Sequence, residues 1–62
     1  MQVGELYHSQ RHGLVIIRKV TLAYQSMSGS PLYKVVFLVF ADGTLWGRKI
    51  TREAFHERFT SL

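Results

Sequence analysis

The nine residues Leu32-Tyr33-Lys34-Val35-Val36-Phe37-Leu38-Val39-Phe40 are apolar on both alternating faces except at Lys34, and they run into the turn pair Asp42-Gly43. A run this rich in β-branched and aromatic side chains is a strand. Because both of its faces are apolar, it needs cover on both sides; at an exposed edge it would invite pairing with other chains. The rest of a 62-residue chain must therefore wrap around it. That predicts a small, mainly β protein: an antiparallel barrel or strongly curled sheet of four to five strands.

Such a length is a single domain spanning residues 1–62, and a chain of this size buries only about 60% of the surface its unfolded form exposes. There is no cysteine, which removes disulfides and thiolate metal sites and leaves packing, a partner or self-association to supply stability. Cysteine absence also fits a reducing compartment. An apolar fraction of 47% belongs to a folded chain. The net charge of +4 and pI near 10.0 favour anionic partners, although a small domain also needs net charge simply to stay in solution. The opening Met1-Gln2-Val3-Gly4-Glu5 has no basic head followed by an apolar stretch, and no apolar run approaches the ~20 residues of a membrane span. The expected setting is the cytoplasm, with no membrane association.

Val3 to His8 leads into the polar cluster Ser9-Gln10-Arg11-His12-Gly13, which reads as a turn. Leu14 to Gln25 reads as a second strand, broken by the consecutive charges Arg18 and Lys19. One of those two must point toward whatever the apolar parity faces, so a bulge or bend is expected there. Gln25 to Pro31 is small and polar and reads as a long hairpin loop. Asp42-Gly43 favours a two-residue hairpin turn with positive φ at both positions. That turn would pair Phe40 with Leu45, Val39 with Trp46, Phe37 with Arg48 and Val35 with Ile50. One face would then carry Val35, Phe37, Val39, Trp46 and Ile50, and the other Val36, Leu38, Phe40 and Leu45. Thr51 can cap a short C-terminal helix of about nine residues, with Glu53 in its first turn and Arg58 in its last. Its Ala54, Phe55 and Phe59 share a side and would plug the sheet, leaving Arg52, His56 and Glu57 for solvent.

Two stretches carry a resemblance. Gly4-Glu5-Leu6-Tyr7-His8, closed by Gly13, and Leu45-Trp46-Gly47-Arg48, followed by Phe55 and Glu57, resemble the opening and closing patterns of short bacterial and phage proteins built as SH3-like barrels. Lys49 stands where that group often has proline, so the strand is expected to continue to Ile50. The resemblance implies an SH3-like fold and a phage or mobile-element origin. It supplies no reaction.

No catalytic or metal constellation emerges. His8 and His12 flank a turn rather than sharing a helix face, and His8, His12 and His56 read as ordinary surface histidines. Asp42 belongs to its turn, Glu53 and Glu57 share a helix face without a pocket, and no serine has an evident base. A small ribonuclease built from His, Glu and Arg needs a rigid cleft for which few apolar residues are spare. No enzyme, cofactor or metal is expected. The candidate site is a basic surface: Arg48 and Lys49 beside Trp46, Lys34 and Tyr33 on the neighbouring strand, Arg52 at the helix start, and Arg18 and Lys19 if the second strand bends. Cations interleaved with aromatics suit single-stranded nucleic acid. Against this, Trp46 is first a candidate for the core, and alternation keeps Arg48 and Lys49 off a common patch. A competing reading is inhibition of a host enzyme or defence system by occupying an acidic or a nucleic-acid-binding surface on it, in the manner of an anti-CRISPR protein, with Tyr7, Tyr24, Tyr33 and Met27 as anchors. A homodimer through the second apolar face is compatible with either.

Overall fold

A computed structural model describes residues 1–25 and 29–62. The expected loop over 25–31 falls partly on residues 26–28, so Met27 as an interface anchor lies outside the described residues. In chain order the elements are β1 (Leu6–Ser9), β2 (Gly13–Tyr24), β3 (Leu32–Val39), β4 (Thr44–Thr51), α1 (Arg52–Arg58) and β5 (Phe59–Ser61). The strands form one antiparallel sheet in the order β4-β3-β2-β1-β5. This sheet is open, with β4 and β5 as its edges. The edges carry their own protection against pairing with other chains: β5 is three residues long, and β4 bears Arg48 and Lys49.

The break in β2 is where the adjacent charges placed it. Pairing with β3 runs Val15↔Val39 and Ile17↔Phe37, then shifts so that Lys19 faces Val36 and Val20 faces Val35. Arg18 is the extra residue, and absorbing it moves the inward parity from Val15 and Ile17 to Val20 and Leu22. Both arms of the strand thereby present apolar side chains to one face.

The β3–β4 connection differs from the two-residue turn. Val39 pairs with Thr44, Leu38 with Leu45, Phe37 with Trp46 and Val35 with Arg48, so the loop spans residues 40–43. Only Gly43 has positive φ, at 71°. Asp42 accepts from the Thr44 N–H at 3.2 Å and the Thr44 hydroxyl at 2.7 Å, and a side chain that ties down the following backbone in this way stabilises the longer loop. The register is displaced by two positions. A slip of two keeps every side chain on its face, where a slip of one would have inverted them all. The face assignments therefore stand although the partners changed.

The inner face holds the core: Tyr7, Val15, Ile17, Val35, Phe37, Val39, Ile50, Phe55 and Phe59. Thr51 caps α1 by accepting from the Ala54 N–H at 3.2 Å. The helix is shorter than expected, seven residues, because Phe59 adopts extended backbone (φ −120°, ψ 129°) and opens β5. β5 pairs with β1, Ser9 facing Phe59. Phe59 still packs where a helical residue would have: its ring stacks on Phe55 at 4.4 Å and 9°, and Phe55 meets Tyr7 edge-on at 5.0 Å. Tyr7 is 2% exposed, so it belongs to the core and is no interface anchor.

Among the described residues nothing covers the outer face. Val36 and Leu38 are half-buried, while Leu6, Leu14 and Leu45 are 41%, 39% and 63% exposed. The requirement for cover on both sides of β3 is met on the inner face only. The two phenylalanines at the end of the chain, Phe55 on α1 and Phe59 just after it, go to the side that also carries Tyr7 and Phe37.

Candidate functional site

The basic residues singled out from the sequence divide between the two faces. On the outer face Lys34 stands directly opposite Lys49, and Lys19 lies on the same side, opposite Val36. Lys34 lies over Gly47 of β4, its Cε 3.4 Å from where a side chain there would begin, an ordinary contact distance. Arg18 sits at the bulge and is exposed. Arg52 reaches over the Tyr33 ring at 5.8 Å, at the start of α1. Trp46 and Arg48, two apart on β4, take the inner side with Phe37 and Val35. Alternation thus keeps Arg48 and Lys49 apart, and the eight candidates do not form one patch.

Trp46 is not core. It is 43% exposed, and its indole N–H donates to the Thr44 hydroxyl at 3.1 Å. Opposite Phe37 on the edge strand it extends the core outward rather than entering it. His12 packs between the two, its ring 5.4 Å from Phe37 and 4.8 Å from Trp46. This histidine is half-buried against aromatic rings and is no ordinary surface residue. A continuous series of rings results, Tyr7–Phe55–Phe59–Phe37–His12–Trp46, running from the middle of the core to solvent. Each such contact adds about 0.5–1.5 kcal/mol beyond area burial, so the exposed end is held by the packed one.

Beside that end lies a cleft of about 260 Å³ lined by Ser9, Gln10, Arg11, His12, Arg48, Glu57, Arg58 and Phe59. Three segments distant in sequence build it. The β1–β2 turn supplies Arg11 and His12, and it is pinned by Ser9, whose buried hydroxyl accepts from the His12 N–H at 2.8 Å. Gly13, at φ 73°, closes that turn. β4 contributes Arg48, and the end of α1 contributes Glu57 and Arg58, brought alongside Ser9 by the Ser9↔Phe59 pairing.

Electrostatically the cleft is a cation cluster with one carboxylate. Among the described residues the only ion pair within 4 Å joins the N-terminus to Glu5 at 3.1 Å, so Arg11, Arg48 and Arg58 have no carboxylate partner there. Guanidinium groups present donors in a planar fork that matches phosphate. Elsewhere, the Glu5 carboxyl is held below its usual range, first by hydrogen bonding to the N-terminal ammonium, then by the Gln2 N–H and the Tyr7 hydroxyl. Burial, with the bond to Glu5, pushes the Tyr7 phenol up. The Thr44 hydroxyl and N–H lower Asp42. Among the described residues no group of three or more His, Asp or Glu is placed to hold a metal ion, and no helix is long and apolar enough to cross a membrane.

Arg11, His12, Arg58, Glu57, Ser9 and Gln10 were absent from the sequence-derived site. Their convergence depends on β5, a three-residue strand whose only sequence signal is Phe59-Thr60-Ser61 after a helix. No protein-family model matches the chain, and searches of curated proteins and of solved structures returned no match.

Proposed function

We propose that the chain is a non-catalytic, SH3-like binding module that holds single-stranded nucleic acid in the Arg11–Arg48–Arg58 cleft, with a base stacked on Trp46. The observation that carries this reading is the meeting of three unpaired arginines with a half-exposed tryptophan backed by His12. Phosphates need the guanidinium charge, and a base needs a flat ring whose other side is already supported. Glu57 refines the choice of ligand. A carboxylate beside three cations disfavours a bare polyanion and accepts from a base amino group or a sugar hydroxyl, both of which a nucleic acid offers next to its phosphates. The strand order β4-β3-β2-β1-β5, with a short helix between β4 and β5, supports the SH3-like assignment.

Trp46 is the only tryptophan, so its fluorescence reports directly on the site. Single-stranded oligonucleotides should quench it, with affinity falling steeply between ~50 and ~200 mM salt. Arg48→Ala and Arg58→Ala should each flatten the log–log salt slope by ~0.7 for every phosphate that is no longer neutralised. Lys34→Ala and Lys49→Ala, on the other face, should change it far less. Unaltered fluorescence, or an affinity indifferent to salt, overturns the assignment.

A further inference from the structure

The outer face carries a row of apolar side chains that crosses the entire sheet. Leu45 on β4 is paired with Leu38 on β3, Leu38 with Ile16 on β2, and Ile16 with Leu6 on β1. Beyond β5, the Leu62 N–H donates to the Leu6 carbonyl at 3.3 Å and brings a fifth apolar residue into line. Leu14, Val36 and Phe40 flank the row on β2, β3 and the turn after β3. No carboxylate stands at any outer strand position: Glu5 bonds to Tyr7, Asp42 to Thr44, and Glu53 and Glu57 are on α1. The charges at outer strand positions are lysines, all toward one end, with Lys34 and Lys49 directly opposed, an arrangement that costs stability in an isolated sheet.

We propose that this face is a homodimer interface, two copies packing outer face to outer face about a two-fold axis that runs along the Leu62–Leu6–Ile16–Leu38–Leu45 row.

Size favours a second copy as the occupant. Five strands at ~4.8 Å span roughly 19 Å, and the row with its flanks runs about 20 Å along the strands. That footprint is about 400 Å² in projection; the side chains standing up from it, with the lysine stems, His8 and Thr60 at its margin, add to this and bring the face to the small end of specific interfaces, where a standard one takes ~800 Å² from each partner. Chains this small that lack disulfides commonly complete their cores by self-association, and pairing outer faces gives β3 the second cover that its Val36 and Leu38 require. The charges select the axis. A two-fold parallel to the strands would stack both lysine ends on each other; a two-fold along the row lays each lysine end over the partner's Phe40–Gly43 turn, which carries Asp42. That axis sets each row residue against its own copy, and it leaves both arginine clefts open.

Sedimentation equilibrium of the full chain should give twice the 7.2 kDa mass of one chain at ~100 μM, a concentration suited to an interface of modest area. Leu45→Lys, at an exposed edge position where folding is not at stake, should sediment as a monomer with an unchanged circular dichroism spectrum. Leu45→Cys should form a disulfide-linked dimer with itself on mild oxidation. A wild-type chain that stays monomeric, including one that instead sediments with anionic vesicles or an acidic protein, overturns the dimer, as does a Leu45→Lys variant that remains dimeric. Should Leu45→Cys fail to link with itself but link with Leu62→Cys, the axis is parallel to the strands and the stated geometry is wrong.

Discussion

The inner and outer faces of β3 are built from nearly the same residues and have opposite fates. Val35, Phe37 and Val39 are at most 3% exposed, whereas Val36 and Leu38 are half-buried and Phe40, in the turn that follows, is 49% exposed. Hydrophobicity does not separate the two sets. Aromatic content elsewhere in the chain does: Tyr7, Phe55 and Phe59 all reach the inner side, two of them because α1 and β5 fold back over it. Once that side is filled, no element among the described residues is left to lie on the other. An apolar face is therefore a requirement for cover, and the rest of the chain decides whether the cover comes from within.

The largest expected effect tests that asymmetry directly. Phe37→Ala removes a fully buried ring that touches both Phe59 and His12, and should cost ~3–5 kcal/mol, enough to leave a domain of this size substantially unfolded in a urea titration. Its neighbour Leu38→Ala should cost only ~1 kcal/mol in dilute solution, as half-exposed sites do. The difference between the two should narrow as protein concentration rises if the outer face is covered by a second copy, because the Leu38 side chain is then buried as well. Equal costs at low concentration would mean that the two faces do not differ.

A smaller effect is expected at Ser9, where the inner face meets the cleft. Its hydroxyl is the acceptor for the His12 N–H, so Ser9→Ala should cost ~1–2 kcal/mol from the donor left unpaired, measured as a lowered melting midpoint. Oligonucleotide affinity should fall by more than that stability loss explains in a still-folded protein, since the turn that positions Arg11 and His12 is loosened. Ser9→Thr, which keeps the hydroxyl, should recover both. Loss of stability with intact binding would separate the turn from the site.

Elements longer than a few residues were readable in the sequence. Runs rich in β-branched and aromatic residues marked β2 and β3, the adjacent charges Arg18 and Lys19 marked the bulge, and Thr51 with Glu53 and Arg58 marked α1. The turn was found by its Asp-Gly pair, but its length was not, because the bond from Thr44 to Asp42 that favours four residues is a side-chain choice no dipeptide preference contains. Trp46 looked like core because tryptophan is usually buried and the expected register set it against Val39; its place on the edge strand β4 leaves it exposed. The cleft was the least legible part. Arg58 reads as a helix-terminal cation and Arg11 as a turn residue, and they become neighbours only through a three-residue strand too short to carry a pattern.

The smallest expected effect concerns acid. The depressed carboxyl of Glu5 is held first by the N-terminal ammonium, then by the Gln2 N–H and the Tyr7 hydroxyl, and that of Asp42 by the Thr44 hydroxyl and N–H; the outer strand positions have none. A carboxyl whose folded-state pKa lies below its unfolded one binds fewer protons when folded, so stability rises with pH across the interval between the two. The contribution is complete above the ordinary carboxylate range and disappears as pH falls through it to the folded values. The melting midpoint should therefore drop between pH ~5 and ~3. Both groups are solvent-screened, so the drop should be modest and should shrink further with added salt. Glu5→Gln and Asp42→Asn should each remove part of it, and the double variant most of it. A double variant as acid-sensitive as the parent overturns this attribution.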